Sequence, residues 1–138
     1  MMKNSEIKDD GAEMARIRTV MDTGTLPSSR ELNVHFLPGH ADRLRPLALQ
    51  LEAAIRGMQN LPSPSSRYLD PIAARILGKR ERDAALHGIT DIRYRIQMEA
   101  YDILRTEYSI TLARPARLPD YREEATRRES LRKWKRHL

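Results

Sequence analysis

Asp70-Pro71-Ile72-Ala73-Ala74-Arg75-Ile76-Leu77-Gly78, continuing through Gly88-Ile89-Thr90-Asp91-Ile92 to Ile103-Leu104-Arg105-Thr106-Glu107, is the stretch that decides the fold. Its first two residues form the strongest helix-start signal in the chain. The Asp70 carboxylate can accept from free amides of a first turn, and Pro71 at the first helical position has no amide to leave unpaired. Ile72, Ala73, Ile76 and Leu77 follow at helical spacing. Gly78 weakens this run, and Gly88 is expected to end it. Thr90 then reads as the cap of a second helix, with Ile92, Ile96, Ala100, Ile103 and Leu104 on one face, reaching about Glu107. The two segments predict a central helical hairpin.

Working outward, residues 41–58 repeat Leu44, Leu47, Leu51, Ile55 and Met58 at intervals of three and four, one face of another helix. Pro46 implies either an irregular first turn or a helix that begins there. Leu61 to Ser66, with Pro62 and Pro64, reads as an extended connector. Leu32, Val34 and Phe36 alternate with Asn33 and His35 before Pro38-Gly39, which predicts a half-buried strand. Ser109 to Leu112 alternates likewise, so the two are expected to pair as one minor β ribbon. Ahead of them, Ala12 to Met21 shows a short helix with Met14, Ile17 and Met21 on one side, broken at Gly24 and Pro27. The expected fold class is mainly α: a loosely held arm over residues 1–30, a helical body over 31–113 and a tail over 114–138. In the tail, Asp120 after Pro115 and Pro119 caps a last helix whose apolar face is thin: Tyr121, Ala125, Leu131, Trp134 and Leu138.

A chain of 138 residues is the size of one domain. Aromatics make up only 5%, so the core must come from Leu, Ile, Ala and Met. The absence of cysteine excludes a disulfide framework, a thiolate metal site and a cysteine nucleophile. Charged residues crowd the first ten positions, where a secretory signal would need an apolar run, and no stretch approaches a membrane span. The expectation is a cytoplasmic protein without a membrane partner. No phosphate-binding loop, dinucleotide fingerprint or nucleophile elbow is present, so neither an enzyme nor a cofactor is expected.

Charge placement gives the functional signal. Residues 113–138 hold nine Arg or Lys against four Asp or Glu, while the rest of the chain is nearly balanced at sixteen against fifteen. Arg127, Arg128, Arg132, Lys133, Lys135 and Arg136 surround Trp134, the only tryptophan. Such residues neutralise phosphates and offer a ring for stacking. The competing reading is a solvated helix that docks through Leu131, Trp134 and Leu138, with Glu123, Glu124 and Glu129 pairing the arginines. Lys79, Arg80 and Arg82 form a second basic cluster.

The expectation is therefore a small non-enzymatic nucleic-acid-binding regulatory or accessory protein, with DNA preferred over RNA. The alternative is an interaction module presenting the same surface to an acidic protein. A homodimer is expected from the long aliphatic stripes. Two weaker patterns are present. Residues 80–99 resemble a helix-turn-helix spacing, with Asp91, Arg93, Arg95 and Gln97 as base readers, but Asp83, His87 and Gln97 fall where apolar residues belong. His35, His40 and Asp42 lack the helical spacing of a metal site and read as surface residues, so no metal is expected. Asp83, Asp91, Glu99 and Asp102 read as a solvated, salt-bridged helix face.

Overall fold

The computed structural model describes residues 2–61, 70–119 and Arg132, with side chains from Gly11 onward. These residues are mainly helical and contain no strand. Among the described residues up to 119, the helices in order are α1 (Met2–Thr23), the single turn α2 (Leu32–His35), α3 (Pro38–Gln59) and α4 (Pro71–Glu107). Helices α1 and α3 both pack on α4, and α2 rests on α3.

The start of α4 is as expected: the Asp70 carboxylate accepts from the Ile72 amide at 3.0 Å, with Pro71 in the first turn. The hairpin is not found. One helix of 37 residues runs straight through Gly88. A helical glycine costs only ~1 kcal/mol relative to alanine. Just beyond it Ile89, Ile92, Ile96, Ala100, Ile103 and Leu104 are all buried, and that packing outweighs the penalty. Thr90 does not cap a new helix. Its hydroxyl donates back to the Leu86 carbonyl at 3.1 Å, the bond a threonine makes inside a continuous helix. Without a turn, the helix-turn-helix spacing over residues 80–99 has no structural counterpart.

The first expected strand is also corrected. Leu32 and Phe36 are buried but Val34 is 70% exposed, whereas a strand would place all three on one face. Residues four apart share a helical face, and the period-two pattern concealed that spacing. Pro38, read as the end of a strand, instead opens α3 at a position where its missing amide is harmless. Pro46 lies inside α3 on an exposed position, while Leu44 and Leu51 of the expected stripe are buried. Ser109 to Leu112 forms no strand and pairs with nothing in a ladder among the described residues. Ser109 adopts a left-handed φ of 53°, and the Ile110 amide donates to the Leu104 carbonyl at 3.1 Å, so the chain reverses after α4. Ile110 and Leu112 then lie against the core as a return strap.

The segment read as a loose arm supplies part of the core. Ile17 and Val20 are fully buried and Met21 nearly so. The end of α1 is tied to α4 by side chains that cap its last carbonyls: Arg93 Nη2 donates to Thr23 O at 2.6 Å and Gln97 Nε2 to Met21 O at 2.8 Å. A cation at a helix C-terminus also meets the negative end of its dipole. Gly24 terminates α1 with φ at +62°, and a Cβ there would sit 2.9 Å from the Arg93 carbonyl oxygen. Glycine is required by both geometry and space. Beyond it, the Ser29 amide and hydroxyl donate to the two carboxylate oxygens of Glu52, anchoring the loop to α3.

Candidate nucleic-acid interface

Arg75, Lys79, Arg80 and Arg82 are exposed on the first half of α4. Helical spacing puts Arg75, Lys79 and Arg82 along one side, with Arg80 about a third of a turn from Lys79. No hydrogen bond or ion pair engages these four cations among the described residues. Of the tail residues, Arg132 is helical and exposed. Arg127, Arg128, Lys133, Trp134, Lys135 and Arg136 lie outside the described residues, as do the connector residues 62–69.

The return strap runs back along α4 toward this cluster. The seven residue steps from Ile110 to Arg117 can span about 23 Å when extended, and the thirteen helical steps from Leu104 back to Asp91 rise about 20 Å. The match is realised: Ile110 is bonded to Leu104 at one end, while at the other Arg117 forms an ion pair with Asp91 and contacts the ring nitrogens of His87. Arg117 is three residues short of Asp120, where the tail's expected helix begins. Arg82 lies five residues, about 7.5 Å along the helix, from His87.

Asp91, Arg93, Arg95 and Gln97, the base readers of the helix-turn-helix spacing, are committed elsewhere. Arg93 and Gln97 are buried caps of α1, Asp91 holds the strap, and Arg95 Nη1 donates to Gln50 Oε1 at 3.1 Å.

At the opposite end of α4 sits a charged clamp that sequence spacing missed. His40 of α3, 5% exposed, lies between two carboxylates. Its Nδ1 is 2.6 Å from Glu13 Oε2 on α1, and its Nε2 is 3.1 Å from Glu107 Oε1 on α4. Only the doubly protonated imidazolium can donate to both. The hydrogen bond to Glu13 holds the His40 pKa above its ordinary value, against the opposing effect of burial and with further help from Glu107. Glu13 is 1% exposed and also accepts from the Leu37 amide at 2.9 Å. Beside it, Arg43 spreads over three carboxylates of α4: Glu99 at 2.6 Å, Asp102 at 2.9 Å and Glu107 at 3.3 Å. The Arg43 hydrogen bond holds Asp102 below the usual carboxylate range. Glu99 and Asp102 thus join two helices rather than decorating one.

His35 is buried too, and burial lowers its pKa. The two histidines are therefore not surface residues, while Asp42 is exposed and paired with Arg45 at 2.7 Å. Among the described residues, no group of three or more His, Asp or Glu is arranged to hold a metal ion. No described helix is long and apolar enough to cross a membrane. No protein family, curated protein or solved structure matches this chain.

Proposed function

We propose that this protein is a small non-enzymatic nucleic-acid-binding accessory or regulatory factor, with DNA as the preferred ligand. Phosphate contacts would come from Arg127, Arg128, Arg132, Lys133, Lys135 and Arg136 of the tail, with Trp134 stacking on bases. Lys79, Arg80 and Arg82 form the second contact. The observation that carries this reading is the set of exposed cations on the first half of α4 that have no partner among the described residues. A cation already bonded to a carboxylate has less to gain from a phosphate; these have no such bond to break. The strap adds support, because Arg117, three residues before Asp120, is bonded to Asp91 and His87 of the same helix.

The test is a gel-shift titration of the full chain against duplex and single-stranded DNA at several salt concentrations. Each lost duplex phosphate contact reduces the slope of log affinity against log salt by about 0.9. Lys79→Ser/Arg80→Ser/Arg82→Ser should therefore flatten the slope by ~2.7 if all three touch phosphate. Neutralising the six tail cations should flatten it further. An unchanged slope in both variants, or a parent that binds neither DNA nor RNA at low salt, would refute the reading.

The aliphatic stripes that suggested a homodimer face one another within the chain: Leu44 and Leu51 of α3 and Ile96 and Ile103 of α4 are all buried in the same core. These four residues therefore offer no surface to a second copy.

A further inference from the structure

Helix α4 changes character along its length. From Ile89 to Leu104 it builds the core, whereas between Pro71 and Gly88 only Ala74 is buried. In that first half Ile72 is 70% exposed and Ile76 48% exposed. They stand one turn apart, about 6 Å along the axis, and so form one stripe. Lys79 continues the stripe for another turn, Arg75 borders it on one side and Arg80 on the other. The acidic residues Asp70 and Glu81 fall about half a turn away, on the opposite side, leaving Asp83 as the single carboxylate on this face.

A scattered exposed isoleucine is ordinary, but an adjacent pair framed by three cations with no partner among the described residues combines two recognition chemistries in one place. We propose that this face of α4 docks an acidic amphipathic helix of a partner protein, its apolar residues covering Ile72 and Ile76 and its carboxylates meeting Arg75, Lys79 and Arg80. Charge complementarity selects this occupant. A phosphate backbone would use the cations and leave both isoleucines in water. A second copy related by a two-fold axis would set the same cations against themselves. Two isoleucines bury little area, so the contact is transient, with electrostatic steering governing encounter. Because Lys79 and Arg80 also form the second phosphate contact proposed above, an acidic helix and nucleic acid would compete for this face, leaving the tail to hold nucleic acid while the partner is docked.

The experiment uses the full chain and fluorescence anisotropy with a synthetic helical peptide carrying Leu at positions i and i+4 flanked by Glu. A second peptide of equal charge has both Leu replaced by Ser, and a labelled DNA oligonucleotide is titrated in parallel. Saturable binding of the first peptide is expected, weakened roughly tenfold or more by Ile72→Ser/Ile76→Ser and by the Leu-to-Ser peptide. The substituted isoleucines are exposed, so the melting curve should stay put and show that the fold is intact. DNA affinity should change less than about twofold, since a phosphate contact does not involve them. Absence of saturable peptide binding, or equal binding of both peptides, would overturn the proposal. A tenfold fall in DNA affinity in the isoleucine variant would overturn it as well, and would assign this face to nucleic acid.

Discussion

Replacing His40 with leucine should uncover how strongly the charged clamp holds α1 to the rest of the molecule. In the parent, the imidazolium faces Glu13 from α1 and Glu107 from α4, with Arg43 on the far side of Glu107 and the Tyr108 ring 5.9 Å away. Leucine keeps the bulk but leaves the Glu13 carboxylate buried with only the Leu37 amide for company. Stranding one member of a buried ion pair typically costs about 3 to 5 kcal/mol. The double substitution Glu13→Gln/His40→Leu removes the stranded charge and should recover part of that loss. The parent should also show a pH signature. A folded-state pKa above the ordinary histidine value of about 6.5 stabilises the protein fully below pH ~6.5, and that stability disappears as pH rises through the elevated value. Each unit of elevation is worth about 1.36 kcal/mol. His35, shifted the other way by burial, acts below pH ~6.5, where its lowered pKa makes stability fall with acidity. The two histidines therefore act in different windows. Urea unfolding of parent and variant at half-unit steps between pH 5 and 9 reads both effects. Equal slopes above pH 6.5 in the two proteins, or a cost below about 1 kcal/mol for His40→Leu, would refute the argument.

Three further outcomes follow from the packing. Gly24→Ala should destabilise by about 2 kcal/mol or more, combining a left-handed backbone with a collision against the Arg93 carbonyl, and a melting-temperature change under a degree would contradict this. Gly88→Ala should do the reverse and raise stability by ~0.5 to 1 kcal/mol in urea unfolding, because its added Cβ meets nothing within 4 Å and the helix is continuous there. Ile96→Ala should cost ~2 to 5 kcal/mol, since Ile96 is fully buried where α4 receives the other helices, and a loss below half a kcal/mol would mean that the core is not where it is described.

Signals that act within a few residues were legible in the sequence, and those that depend on distant partners were not. The Asp70-Pro71 start is chemistry between adjacent residues, and it holds. The alternation at Leu32, Val34 and Phe36 had two solutions, and burial of Leu32 with Phe36 selected the helical one. Gly88 misled because its intrinsic penalty is visible in the sequence while the opposing burial of Ile89, Ile92 and Ile96 is a tertiary effect. Thr90 misled because a hydroxyl can cap forward or bond back one turn. The clamp joins residues 27 and 67 positions apart, far beyond any local pattern. It nevertheless left a trace. Glu13 stands four residues before Ile17, and His40 four before Leu44, so each places an ionisable group one turn ahead of a buried aliphatic on the same helix face. Two such groups of opposite charge are candidates for one another.

The same reasoning bears on what a net charge of +6 means. A count treats every arginine alike, but the structure divides them by occupation. Arg43 is shared among three carboxylates, Arg93 caps α1, Arg45 holds Asp42, and Arg117 fastens the strap to Asp91. These cations stabilise the fold and have little left to offer a ligand. Arg75, Lys79, Arg80 and Arg82 have no such bond among the described residues, and they lie together on the half of α4 that contributes least to the core. Charge that folding leaves uncompensated, on a surface that packing leaves uncovered, is where a charged partner gains most. That coincidence, rather than the total of basic residues, directs both proposals to the first half of α4.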